Sequence, residues 1–385
     1  MSCCRNSSNV YEEEEEGEEE GEEYSGEEEE EMDPRKETLS KMGLKLDQAD
    51  ILELVGMNAS CVSRLTDAKR PKGAGHAACN EQCGKAASDA WVEKLAEAMK
   101  GNTTLTELSF GRGHQISGAG VGFLTTALEG NTTIQKLSLT FGTPGLQGEG
   151  TGKLAAWLGA NASLTILDLT ANSIKDGGVA ALSEAIKNGA TMLKTLMLST
   201  NQIGEDGASA LGTALENNNS LTSLTLTDNQ IGNNGTVALA EALKKNTTLS
   251  SLMLDSNQIK AQGASALAEM LRSNATLTRL SLESHTLLHD KSQVNDIDNE
   301  GTLAFAEMLR VNKTLRFLNL NDAGTHAESV RTLAKIMDES NETLLSLKTA
   351  PNMDPLIETI CKRNMTSHRA AKKWLRKATS THDSN

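Results

Sequence analysis

The chain has 385 residues, with 37 Lys and Arg against 52 Asp and Glu, for a formal net charge of −15. Hydrophobic residues make up 38% but aromatics only 3%, enough for a core but with few large side chains to anchor a partner. There is no N-terminal apolar run of a secretory leader, and no apolar stretch approaching about eighteen residues, so neither secretion nor a membrane span is expected.

The charge is concentrated near the N-terminus. Residues 12–31 hold fifteen Glu, interrupted only by Gly, Tyr and Ser, and these equal the whole net charge, leaving the rest near neutral. Such a block repels itself, so residues 1–33 are expected to form a disordered Glu-rich tail. Residues 34–89 read as an N-terminal cap and loop region, in which Leu46, Ile51, Leu52 and Leu54 suit a capping helix over 44–57. Cys61, His76, Cys79 and Cys83 follow, and their H-x2-C-x3-C portion superficially suits zinc. The spacing matches no standard zinc module, and Pro71, Gly73 and Gly75 mark a loop, so free thiols in a reducing compartment are expected, with no metal or other cofactor.

From 90 to 350 the chain repeats itself. A block of 28 or 29 residues recurs, clearest from Asn219 to Asn246 and again from Asn246 to Asn274. A fixed period in this range marks a stacked solenoid. The first half of each block reads L-x-x-L-x-L-x-x-N-x-I, as in Leu221, Leu224, Leu226, Asn229 and Ile231. The alternation of Leu224 and Leu226 with polar residues predicts a short strand with one buried face. The second half, from Gly235, places Leu239, Ala242 and Leu243 at helical spacing. One such unit cannot bury its apolar face alone, so neighbours must stack. Asn172, Asn201, Asn229 and Asn257 at the ninth position are expected to bridge unpaired backbone groups, because a buried amide both donates and accepts. Gly178, Gly207, Gly235, Gly263 and Gly301 at the fifteenth position predict either unusual backbone angles or close packing at the helix start.

These blocks resemble the leucine-rich repeat family, in its 28–29-residue subtype found in ribonuclease inhibitor and the Ran GTPase-activating protein. The resemblance runs from Ala90 to Leu347, with repeat starts at Leu105, Ile134, Leu164, Leu193, Leu221, Leu249, Leu277, Leu315 and Leu344. It implies an α/β fold: a right-handed leucine-rich-repeat solenoid (horseshoe) with parallel strands on the concave face and helices on the convex face. Gly113, Gly142, His285 and Ala323 stand where the ninth-position Asn belongs in the outer repeats, as degenerate caps would. The N-x-S/T sequons at Asn102, Asn131, Asn161, Asn246, Asn274 and Asn312 all fall at the helix-to-strand turn, so the repeat accounts for them without secretion. The six cysteines lie almost entirely outside the repeats, unlike those of ribonuclease inhibitor, so ribonuclease binding is not carried over.

The repeat starting at Leu277 carries an insertion, read as a loop over Thr286–Glu300. Asp296, Asp298, Glu300, Gly301 and Glu307 imitate an EF-hand calcium loop, but Gly301 and Glu307 are repeat positions and the flanking helix pair is lacking. Residues 351–385 read as a C-terminal cap helix and basic tail, with Lys362, Arg363, Arg369, Lys372, Lys373, Arg376 and Lys377 around Trp374 and Leu375.

No combination of nucleophile, base and orienter is evident, and there is no P-loop, so a binding protein is expected rather than an enzyme. Small hydroxyls dominate the outward strand positions, such as Thr222, Ser223, Ser250, Ser251 and Thr278, with charge increasing towards the C-terminal repeats. Interfaces centre on aromatic and Arg anchors. Arg279, Glu283, Arg316, Phe317 and Asp322 are therefore the expected partner-binding residues. The expected function is an intracellular protein-interaction scaffold, cytoplasmic with the nucleus as the alternative, with a protein partner and neither small-molecule substrate nor nucleic acid. Two alternatives remain. The stretch Leu303–Leu320 resembles a tropomodulin repeat, which implies capping of actin filament pointed ends. The Ran GTPase-activating protein implies activation of a small GTPase, although its acidic segment follows the repeats instead of preceding them.

Overall fold

The computed structural model describes residues 89–111, 114, 116–142, 145–187, 191–284, 294–349 and 355–380. The Glu-rich segment, the expected helix over 44–57, the Cys61, His76, Cys79 and Cys83 set, Gly113 and His285 lie outside these residues, as do the side chains of the basic tail beyond 367. Among the described residues ten helices alternate with nine strands: α1 (Asp89–Met99), β1 (Glu107–Phe110), α2 (Gly118–Ala127), β2 (Lys136–Leu139), α3 (Gln147–Ala160), β3 (Ile166–Asp168), α4 (Lys175–Lys187), β4 (Thr195–Met197), α5 (Glu205–Leu215), β5 (Ser223–Thr225), α6 (Gly232–Leu243), β6 (Ser251–Met253), α7 (Ala261–Ser273), β7 (Arg279–Ser281), α8 (Asp298–Val311), β8 (Phe317–Asn319), α9 (Ala327–Ser340), β9 (Ser346–Lys348) and α10 (Pro355–Ser380). The strands form one parallel sheet in chain order. Each begins two residues after one of the nine repeat starts.

The periodicity of the sequence explains this arrangement. Parallel neighbours need a crossover, and each helix supplies it. The fourth-position leucines, from Leu108 to Leu347, stand side by side in register and are all buried, as are the repeat-start residues from Leu105 to Leu344. Opposite them pack helix residues such as Leu239, Ala240 and Leu243. A helix about 10 Å across stacks more widely than strands about 4.8 Å apart. The sheet is therefore the inner, concave layer and the helices the outer one.

Asparagines hold both turns in the repeats that start at Leu164, Leu221, Leu249 and Leu277. Asn229 is buried; its Nδ2 donates to the carbonyls of Leu198 (3.0 Å) and Leu226 (2.8 Å), and its Oδ1 accepts from the amides of Asn201 and Ile203 (both 3.0 Å). Asn172, Asn201 and Asn257 are buried in the same role. A second ladder runs along the helix-to-strand turn. There Asn246 donates to the carbonyls of Leu215 (2.7 Å) and Asn218 (3.1 Å) while accepting from the amides of Thr248 (3.0 Å) and Leu249 (2.8 Å). Asn274, Asn312 and Asn341 repeat the pattern, and Asn364 of α10 closes it on the carbonyls of Asn341 and Leu344. The sequon asparagines Asn102, Asn161, Asn246, Asn274 and Asn312 are thus buried framework groups.

The Gly at the fifteenth position owes its place to packing, since none of these five has a left-handed φ. A Cβ on Gly235 would lie 2.8 Å from Ile231 Cγ2 and 2.9 Å from Ala208 Cβ of the preceding helix. Helix starts are tied across repeats. Asp176 of α4 accepts from the amides of Gly204 (2.7 Å) and Gly207 (3.1 Å) at the start of α5, and Asn233 of α6 accepts from Lys260 and Gly263 at α7. A carboxylate or amide there takes the donors that a helix start leaves unpaired.

The insertion differs from the sequence expectation. Asn295 occupies the ninth-position rung expected at His285: its Nδ2 donates to Leu254 O (2.9 Å) and Leu282 O (3.0 Å), and its Oδ1 accepts from Asn257 N (2.9 Å) and Ile259 N (3.0 Å). Ile297 is buried and α8 starts at Asp298, so the inserted residues lie between Ser284 and Asn295, and the stretch to Glu300 is ordinary repeat. The physical reason is that the ladder needs an amide at this level, whichever residue number brings it there. Asp298 and Glu307 lie on one helix, where Glu307 pairs with Arg310 at 3.0 Å. At the other end α10 buries Ile357, Ile360 and Cys361 against the last repeat, and burial pushes the Cys361 thiol up.

Candidate concave-face interface

Strand parity divides the sheet residues. The fourth and sixth positions are buried, so the third, fifth and seventh face outward on the concave side. The second position behaves differently from the expectation that its hydroxyls belong to the outward surface. Thr222, Ser250 and Thr278 donate to the carbonyls of Lys194 (3.1 Å), Thr222 (3.0 Å) and Ser250 (3.0 Å), forming a hydroxyl ladder along the start of the strands. Their sequence spacing from the repeat start is compatible with either role. The carbonyl of the preceding repeat, which already accepts from two backbone amides, lies within reach of the hydroxyl and takes it as a further donor.

Of the five expected partner-binding residues, the structure brings Arg279 and Phe317 into direct contact. They are register partners on β7 and β8, both exposed, with the Arg279 guanidinium carbon 4.6 Å from the Phe317 ring centroid. Phe317 is 37% exposed, the only large hydrophobic so exposed on a described strand. The ring face attracts the guanidinium and restricts its motion. Arg279 has no carboxylate or carbonyl partner for its side chain among the described residues.

Glu283 and Asp322 lie past the ends of these strands. The Glu283 carboxylate accepts from the side-chain amides of Asn319 (2.7 Å) and Asn321 (3.1 Å), and Asp322 accepts from Asn321 (2.9 Å). Asp255, on the same row, accepts from the Glu283 amide (2.8 Å), the Ser281 hydroxyl and the Thr227 hydroxyl (3.2 Å). This end of the face carries three carboxylates, which accept from neighbouring amides and hydroxyls. Arg316 is set apart from the other four. It precedes β8, and its Nη1 donates to the carbonyls of Lys313 (3.2 Å) and Thr343 (3.0 Å), so it stands at the rim and continues the job of the hydroxyl ladder.

Lys348 was missed by the sequence reading. It is exposed on β9, in register with Asn319, two strands from Arg279. Its signal was present as the fifth position of the last repeat, but attention to aromatic and Arg anchors passed over it. At the other end of the sheet Lys136 pairs with Glu107 at 3.3 Å, which leaves that end neutral. Between β3 and β8 Arg279 is the one basic residue at a third, fifth or seventh position. No group of three or more metal-ligating side chains occurs among the described residues, and no described helix is long and apolar enough to cross a membrane.

Comparison with known proteins bears on the scaffold. The Leucine Rich repeat family model matches residues 160–183, 189–212, 217–240 and 245–268, each segment opening four residues before one of the repeat starts from Leu164 to Leu249. No curated protein matches the chain. Among solved structures it is similar to one described as "Leiomodin-1 Actin-Binding Site 2 (ABS2)", with 22% identity over 51% of this chain and 95% of that one, at a TM-score of 0.36. Four matched repeat units, joined by nine parallel strands alternating with helices, show that the chain carries a leucine-rich-repeat solenoid.

Proposed function

We propose that the chain is a protein-interaction scaffold that binds a protein partner on its concave face, through Arg279, Phe317, Glu283 and Asp322, with Arg316 at the rim. The observation that carries this reading is the exposed Arg279–Phe317 stack on an inner sheet face otherwise lined by small hydroxyls. An exposed aromatic held under an Arg costs solvation without serving the core, and Arg and aromatic side chains dominate the binding energy of interfaces. Binding is the reading this face supports: its carboxylates accept from amides and hydroxyls, and among the described residues no nucleophile and base meet there. A cytoplasmic or nuclear location accompanies this reading.

The test is affinity capture with the full-length chain against the variant Arg279→Glu, Phe317→Ala. A protein retained by the first and lost with the second, then shown to bind directly once purified, supports the reading. Equal capture by both sinks it. The finer alternatives are tested with the same material. Slowed pointed-end growth of actin filaments would indicate a tropomodulin-like capper, and faster GTP hydrolysis by a small GTPase would indicate an activator.

A further inference from the structure

A recurring pattern on the helices pairs a basic side chain with a nearby carboxylate, although Lys175 and Arg331 have no such partner among the described residues. Lys187, Lys244, Arg272 and Arg310 each pair with a Glu three residues earlier, and Lys136 on the sheet pairs with Glu107. Two cations on the concave face depart from it. Arg279 on β7 and Lys348 on β9 are exposed and have no carboxylate partner among the described residues. They flank Phe317 on β8: Arg279 is in register with Phe317, and Lys348 is in register with Asn319, two residues further along. Two strand spacings and two residues of rise put their backbones about 12 Å apart, on a diagonal that crosses β8 between Phe317 and Asn319.

We propose that these two cations receive two carboxylates of an acidic protein segment, with an apolar side chain between them seated on Phe317. The proposal rests on the concave-face reading above and names the chemistry of its partner. Stacking on Phe317 restricts the motion of the Arg279 guanidinium, so its paired donors meet a carboxylate with less ordering left to do. Lys348 supplies a second, more mobile charge. Asp255, Glu283 and Asp322 bound the site at the other end of the strands. Glu283 is four residues beyond Arg279, about 13 Å along the strand. Like-charge repulsion there disfavours registers that slide an acidic segment past Lys348, the last residue of β9, towards that row.

The experiment selects a displayed library of random linear peptides against the full-length chain, and measures synthetic copies of the selected peptides on Arg279→Glu, Lys348→Glu and Phe317→Ala. The expected peptides carry two acidic positions around an apolar one. Arg279→Glu should weaken them roughly tenfold or more, and a Lys in place of one peptide acid should restore binding to that variant. Peptides lost with Phe317→Ala but indifferent to both charge reversals overturn the acidic-segment proposal and leave the concave-face reading standing. A selection that yields no peptide dependent on any of the three residues overturns both. Phosphoserine in place of a peptide acid binding more than about tenfold tighter makes the ligand a phosphopeptide and also overturns the proposal. Circular dichroism melts of the three variants, all at exposed positions, confirm that the solenoid persists.

Discussion

Replacing Asn229 by Ala tests whether the ladder amides hold the repeats together. The side chain bonds to Leu198 O, Leu226 O, Asn201 N and Ile203 N at 2.8–3.0 Å, and more weakly at 3.3 Å to Thr227 O, which also accepts from Thr200 N. Leu226 O keeps a second donor, Asn257 Nδ2 at 2.8 Å. The substitution therefore orphans three buried backbone groups. At about 1–3 kcal/mol each, and taking the low end because the vacated polar space admits a water, the loss is about 3 kcal/mol. In a solenoid this loss falls on the repeat and its neighbours, because units contact only those beside them. A single melting temperature is a poor readout for such an array. Hydrogen exchange at named amides is better. The Asn201 and Ile203 amides should lose roughly 150-fold in protection, while Leu344 N, held by Asn341 Oδ1 at 2.9 Å several repeats away, should be unchanged. Asn229→Asp, which keeps the acceptor but loses both donors, should protect those two amides better than Ala does. A loss below about 1 kcal/mol, or equal exchange at Asn201 and Ile203 in wild type and variant, would refute the assignment of these bonds as the framework.

Two further outcomes follow from the packing. Deleting residues 285–294, which joins Ser284 to Asn295, should restore an uninterrupted repeat, and thermal denaturation should show stability within about 1 kcal/mol of the parent; unfolding would mean that the insertion is itself part of the framework. Gly235→Ala should cost about 1–3 kcal/mol in chemical denaturation, because its Cβ meets Ile231 and Ala208 at under 3 Å. Gly177→Ala, a helical site with nothing within 4 Å and no left-handed φ, should instead be neutral or stabilising by up to about 1 kcal/mol. Equal effects at the two sites would show that helix spacing does not set the fifteenth-position Gly.

Much of the scaffold was legible because its determinants are local and repeated. Each repeat-start leucine marks a strand two residues later, and the alternation at Leu224 and Leu226 reports a buried face directly. Contacts between repeats were less visible. The position of the insertion was misjudged because His285 keeps the count while Asn295 keeps the hydrogen bonds, and only the level of the neighbouring rung distinguishes them. The caps from Asp176 and Asn233 reach 27 to 31 residues along the chain, so nothing near the helix they serve announces them. The site was legible in part. Arg279 and Phe317 could be placed on one face by parity, but their stacking depends on register across a 38-residue repeat. Arg316, adjacent to Phe317 in sequence, was drawn away by carbonyls that a single repeat does not display.

The division of labour along each strand explains which side chains are free of the framework. The first, fourth and sixth positions are fixed by the core, the ninth by the asparagine ladder, and the second by hydroxyls or Arg316 bonding to backbone carbonyls. What remains free in each repeat is the third, fifth and seventh positions. In β4–β6 those positions are mostly small hydroxyls and half-buried Met197 and Met253, which solvate the sheet while presenting little to grip. At β7–β9 they become Arg279, Phe317 and Lys348 at one end and Glu283 and Asn321 at the other. No framework bond requires that change, since the same framework is built in β5 with Ser223, Thr225 and Thr227 at the equivalent positions. Over three adjacent strands the positions that the framework leaves free thus become large or charged, with Arg279 set over Phe317, and that departure from the hydroxyl-lined strands before them is the ground on which the interface is proposed there.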